Sequence, residues 1–228
     1  GIAGYNIASY GNTLPITYWA LQNALDYAKP KLVVLDVQGV SKSYKLSGNS
    51  SDVHTAFDCY SISKTKIEAL DDLMDDPNAV DDDGVAYVDM KWEYLFTLGK
   101  YHARWSELTD TDFHPVYNRE KGAKSVIAVA DVGDYDLIDE DMATEESGQT
   151  GFVYLRKIIE DCQARGIDVL LVHLPYPANE QQQMDANAVA YIAEDYGLNY
   201  IDFVSMDQVA DYATDCFDAH EHLNPSGA

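Results

Sequence analysis

The residues best suited to chemistry gather at the end of the chain, in Phe217-Asp218-Ala219-His220-Glu221-His222-Leu223-Asn224-Pro225-Ser226-Gly227-Ala228. Asp218 stands four residues before His222. A histidine held by a carboxylate is the base half of a nucleophilic site: the acid orients the ring, and the other ring nitrogen takes a proton. The same residue types ligate metals, so Asp218, His220 and His222 also outline a metal-dependent hydrolytic alternative. Asn-Pro-Ser disfavours continued regular structure, and Pro225 suits the first turn of a helix. His222 is therefore expected on a loop entering a terminal helix. Upstream, Ser9 follows an extended pattern just ahead of Gly11, as a nucleophile could. Serines at strand-to-loop junctions are also common for structural reasons, and Ser9 is the weaker candidate. Asn12 offers a side-chain donor. His102, Arg104 and Trp105 either contact substrate or brace the fold, and His173 ends an apolar run as a core or crevice histidine.

Elements that position these residues follow from periodicity. Tyr5-Asn6-Ile7-Ala8 reads as a short strand running into a Gly-Asn turn. Thr13 is a plausible helix cap, and Ile16, Trp19, Ala20, Asn23, Ala24 and Tyr27 recur at helical spacing up to Pro30. Leu32-Val33-Val34-Leu35 reads as a buried parallel strand, with Asp36 near its carboxyl end. Ile62 to Met74 is helical. Met90 to Trp105 alternates aromatics with charge and predicts a helix, and Ser125 to Val132 a further strand. Asp81-Asp82-Asp83-Gly84 lacks the ligand spacing of a calcium loop. Phe152, Leu155, Ile158, Ile159 and Cys162 mark a helix face stopped by Gly166. Ile167 to Leu174 is a buried strand, Gln181 to Tyr196 a helix closed by Gly197, Asn199 to Phe203 a short strand, and Met206 to Tyr212 a brief helix. Strands alternating with helices define an α/β protein, whose ligands bind beyond the carboxyl ends of the strands. Residues of about 41–145 form a long insertion, of the kind that builds lids and binding surfaces.

Composition narrows the function classes. The 228 residues suffice for one substantial core. Thirty-nine acidic against 15 basic residues leave a formal charge of -24, a field that repels phosphate backbones. Nucleic acid is thus an unsuitable partner. The three cysteines form no CxxC motif. Cys162 reads as a buried thiol, and nothing marks Cys216 as reactive. No signal peptide or apolar twenty-residue run is present. The abrupt start and the end at an expected helix start predict a fragment of a longer polypeptide.

Four stretches together resemble the SGNH/GDSL hydrolase superfamily: Gly4-Tyr5-Asn6-Ile7-Ala8-Ser9-Tyr10-Gly11, Lys29-Pro30-Lys31-Leu32-Val33-Val34-Leu35-Asp36, Tyr101-His102-Ala103-Arg104-Trp105-Ser106-Glu107-Leu108, and His222-Leu223-Asn224-Pro225-Ser226-Gly227. The resemblance is closest to the extracytoplasmic branch with alginate O-acetyltransferases and the protein that transfers D-alanine to lipoteichoic acid. It implies a three-layer α/β/α sandwich on a mostly parallel sheet, forming one domain over residues 1–228. It also implies a serine nucleophile in a first block that would precede Gly1, a base at His222, and an oxyanion-hole amide at Gly11. The family's acid lies three residues before the histidine, where this chain has Ala219. Asp218 is the nearest substitute and Asp215 a weaker one. The Gly-x-Asn-Asp block of the esterases is not recognisable. The implied activity is serine-dependent O-acyl esterase or O-acyltransferase chemistry on a cell-envelope or extracellular polysaccharide, or on an acylated small molecule, without a cofactor. The implied location is extracytoplasmic, with a membrane tether in the full-length parent. The alternative is a catalytically inactive carbohydrate-binding or assembly module on the same fold.

Overall fold

A computed structural model of the chain describes residues 4–9, 11–40, 44, 46–80, 84–98, 102–113, 126–133, 135–146, 149–206, 209–218 and 222–227, with the backbone alone at 46–50, 103–104 and 111–112. The chain divides into two compact units. The first comprises Gly1–Lys100 and Glu146–Leu171, the second Tyr101–Glu145 and Val172–Ala228.

In the first unit, α1 (Leu14–Tyr27) begins where Thr13 takes the N-cap position and Pro15 enters the first turn. Proline's fixed φ suits that turn, where its missing N–H costs no hydrogen bond. The chain turns extended at Ala28, shortly before Pro30. Leu14, Ile16, Ala20 and Leu21 are buried, and α1 packs on α3 (Lys64–Leu73) and α6 (Thr150–Ala164). Ser63 caps α3 by accepting from Lys66 N–H at 3.0 Å. Helix α2 (Leu46–Phe57) forms although Gly48-Asn49-Ser50-Ser51-Asp52 is a poor helix sequence. Its second half buries Val53, Ala56 and Phe57 against Leu70, Met74, Tyr87 and Tyr94. Burying each large side chain contributes roughly 1.5–3 kcal/mol, enough to override the local propensities. A short helix, α4 (Lys91–Leu95), adds Tyr94 to this core.

In the second unit, α5 (Asp110–Phe113) is a single turn. Helix α7 (Glu180–Tyr196) opens with a capping box between Asn179 and Gln182 and closes on Gly197, which adopts φ 65°. Residues 135–144 lie along it as a strap. Gln183 holds the strap from both sides: its Oε1 accepts from Ile138 N–H at 3.0 Å, and its Nε2 donates to Asp136 O at 2.9 Å. Asn187 Nδ2 donates to Met142 O at 2.8 Å, and Thr144 Oγ1 to Asp185 Oδ1 at 2.6 Å.

Strands β1 (Leu32–Asp36), β2 (Asp168–His173) and β3 (Asn199–Asp202) form a parallel sheet in that order, β2 running from the first unit into the second. With the helices this makes an α/β fold. No helix among the described residues is long and apolar enough to cross a membrane.

The structure departs from the sequence expectations in several places. Tyr5–Ala8 is not a strand, and Tyr5 is 96% exposed. An extended segment gains little without a ladder to satisfy its backbone. Strand β1 forms, but as an edge, with Leu32 and Val34 exposed and only Leu35 within it buried. Val126–Ala130 makes a single bridge, Ala130 to Cys216, and leaves Ile127 exposed. Ser125 and Asp81–Asp83 lie outside the described residues. Among the described residues between Met90 and Trp105, α4 ends at Leu95, Thr97 and Leu98 are again helical, and His102–Ser106 is 3-10, so the helix is interrupted at Phe96. The described residues of Met206–Tyr212 are not helical.

Candidate active site

The terminal loop is assembled by one buried side chain. Asn224 is 4% exposed. Its Nδ2 donates to the carbonyls of Thr214 at 2.8 Å, Ala128 at 3.3 Å and Cys216 at 3.3 Å. Its Oδ1 accepts from the backbone of Ser226 at 2.8 Å and Gly227 at 3.3 Å. A buried amide with both ends engaged fixes the chain around it. Cys216 bridges both Ala130 and Leu223, and Phe217 N–H donates to His222 O at 3.0 Å. The loop therefore folds back on 126–132 and 211–217, and Pro225–Gly227 forms a turn. Asn224 was not singled out in the sequence, although the Asn-Pro-Ser turn signal points at it.

This anchoring brings Asp218 and His222 together. His222 Nδ1 stands 2.9 Å from Asp218 Oδ2, and His222 N–H reaches Asp218 Oδ1 at 3.4 Å. Phe217 stacks on the imidazole at 5.3 Å and 16°. The carboxylate thus holds one ring nitrogen while the phenyl ring holds the plane. The His222 side chain is 58% exposed and that of Asp218 32%, so an approaching hydroxyl can reach the imidazole. Asp215 is turned elsewhere: its carboxylate accepts from Asp211 N–H at 2.9 Å and Thr214 Oγ1 at 3.3 Å. His220 lies outside the described residues. Among the described residues no three His, Cys, Asp or Glu side chains gather as a metal site.

His173 ends β2 as a core residue, 1% exposed. Its Nε2 is 3.2 Å from Tyr176 Oη, and its Nδ1 is 3.4 Å from Tyr200 Oη and 3.7 Å from Asp202 Oδ1. In this state the imidazole is closed to a substrate. His102 and Trp105 are exposed, the latter at 73%. The Arg104 side chain lies outside the described residues.

In the first unit, Ser9 Oγ donates to Asn12 Oδ1 at 2.5 Å, so the serine hydroxyl is engaged by the residue proposed as a side-chain donor. Gly11 adopts φ 69°, and a Cβ there would lie 2.3 Å from Asp52 Oδ1. Glycine is required for the backbone conformation and for this close approach alike. A second histidine–carboxylate pair also lies here. His54 Nδ1 contacts Asp58 Oδ1 at 2.9 Å, and the imidazole stacks on Tyr94 at 3.8 Å. Its four-residue spacing was visible in the sequence but went unremarked. Packed at 10% side-chain exposure, it braces α2 against α4.

The fold and these pairs define an α/β protein with a solvent-facing carboxylate–histidine dyad. Compared with known proteins, the chain matches no protein-family model, no curated protein and no solved structure.

Proposed function

We propose that the chain is the base-bearing part of an SGNH/GDSL-type serine O-acyl esterase or O-acyltransferase acting on an extracytoplasmic polysaccharide. The observation that carries this reading is the Asp218–His222 contact, with the imidazole still open to solvent. In this mechanism His222 accepts the proton of a serine hydroxyl, which the resemblance expects before Gly1. The serine oxygen attacks the ester carbonyl, and a tetrahedral oxyanion forms. Asp218 stabilises the imidazolium, and the resemblance implies a backbone amide, that of Gly11 with Asn12 beside it, for the oxyanion. The imidazolium returns its proton to the departing alcohol, leaving an acyl-enzyme. Water or a sugar hydroxyl, deprotonated by His222, then takes the acyl group. His102, Arg104 and Trp105 are the proposed sugar contacts. The test is a partition assay with the intact protein, an acylated chromogenic donor and an oligosaccharide acceptor. Donor cleavage that depends on His222 supports the reading, with acyl-sugar formation marking the transferase. Oligosaccharide binding with no His222-dependent cleavage favours the inactive binding-module alternative, for which the departure at Ala219 speaks.

A further inference from the structure

We propose that β1 is a pairing edge, on which a second copy of this chain lays its own β1 antiparallel to make one continuous sheet. Among the described residues β1 is hydrogen-bonded to β2 alone. The far edge of such a strand presents unpaired N–H and C=O groups, a template for another strand. Natural edges are blunted by charge or proline inside the strand, and Leu32-Val33-Val34-Leu35 has neither. Leu32 is 49% exposed and Val34 60%, and as alternate residues they share one face. The sheet's opposite edge differs, because residues 200–202 of β3 are half-buried.

Charge names the occupant. Lys29 and Lys31 are exposed where β1 begins, and among the described residues neither forms an ion pair. Asp36 is exposed where β1 ends. Two copies of β1 running antiparallel set the lysine end of each beside the aspartate end of the other, and this happens twice per dimer. With the two-fold axis at Val33, Leu32 of each copy lies opposite Val34 of the other on the same face, so each exposed apolar residue is covered. The strand is thus complementary to itself in charge and in side-chain size, which is what a two-fold contact requires. Five residues a side make a small interface, so the dimer is weak, with a Kd on the order of 10–100 μM.

Sedimentation velocity of the 228-residue chain tests the pairing. Each copy carries a formal charge of -24, and at ~0.15 M salt repulsion beyond about 8 Å is largely screened. Between about 5 and about 500 μM the chain passes from monomer to dimer. Val34→Lys, at an exposed position, abolishes the dimer. Lys31→Glu and Asp36→Lys each weaken it roughly tenfold, and the double variant restores it. A zero-length carbodiimide reagent also joins Lys31 to Asp36. Within one chain these residues lie about 16 Å apart along an extended strand, so that product reports contact between copies. A monomer at every concentration overturns the proposal. So does a dimer indifferent to Val34→Lys, a double variant no tighter than the single ones, or a dimer that yields no Lys31–Asp36 product.

Discussion

The Asp218 carboxylate holds His222 by Nδ1 at 2.9 Å across a four-residue gap. That gap is one residue longer than the spacing expected under the proposed SGNH/GDSL reading. On either side of the gap, Phe217 N–H donates to His222 O, Leu223 bridges to Cys216 and Asn224 fixes the turn that follows, and the acid reaches the ring. Because both side chains are partly exposed, their pairing contributes little to stability, roughly 0–1 kcal/mol. Its expected contribution is to orientation and charge during proton transfer.

The first prediction separates these roles. In the intact protein, Asp218→Asn lowers kcat for ester cleavage roughly 10²–10⁴-fold, and His222→Ala lowers it at least as far. Denaturant midpoints of both variants stay close to the parent. A large loss of stability with unchanged turnover would assign the pair a structural role instead.

Asn224→Ala acts the other way round. It leaves three carbonyls and two amides without their buried partner. Stability falls by roughly 2–4 kcal/mol, and turnover falls because Asp218 and His222 lose their register. Urea titration beside an esterase assay checks both, and a variant as stable and active as the parent would contradict the anchoring role.

Asp52 offers a test of Gly11. A carboxylate beside an oxyanion-hole amide opposes the charge that develops there. Asp52→Asn therefore raises kcat roughly tenfold if Gly11 stabilises the oxyanion. An unchanged rate, with the variant folded, removes Gly11 from the mechanism.

Two glycines distinguish space from backbone conformation. At Gly151 a Cβ would lie 1.7 Å from Val40 O, a backbone atom that cannot step aside. At Gly197, φ is 65° and the space is open. Gly197→Ala costs roughly 1 kcal/mol, whereas Gly151→Ala costs roughly 3 kcal/mol or more. Chemical denaturation of the two variants gives the ranking, and the reverse order would contradict the packing of α6 against residue 40.

Alkaline pH should destabilise the fold. Burial, reinforced by Asp161, pushes the Cys162 thiol up to about 11 from 9.0 and the Tyr18 phenol up to about 12 from 10.0. Burial also raises Tyr44, Tyr154 and Tyr212. The unfolded chain then loses its protons first and binds fewer than the folded one, so stability falls with rising pH. The loss begins near the unfolded thiol value, steepens past the unfolded phenol value and levels off above the folded ones. Unfolding free energies from about pH 8 to about pH 11 should trace this decline, and a flat profile would argue against buried phenols. In the native state a thiol reagent reaches Cys59, which is exposed, ahead of the buried Cys162 and Cys216.

Legibility in the sequence followed the locality of the signal. Helices α6 and α7 carry their own period and their own glycine stops, and strand β2 has an unbroken apolar run and is stopped by Pro175, so they were readable. Helix α2 was not, because its first half disfavours a helix and only the distant core around Phe57 holds it. The strap at 135–144 resembles a solvated acidic loop, since its anchors, Gln183 and Asn187, each lie 45 residues from the strap residue they hold. Spacing made the Asp218–His222 pair visible. No local pattern reports that Asn224 holds five backbone groups, or that Leu32 and Val34 stand on an exposed edge.

The central claim is that His222, oriented by Asp218, activates a serine for acyl transfer. Trapping the intact protein with a fluorophosphonate and measuring adduct formation by mass spectrometry tests it most directly. The account predicts one serine adduct that forms slowly in Asp218→Asn and is abolished in His222→Ala. An adduct forming equally fast without the imidazole, or no serine adduct at all, would contradict it.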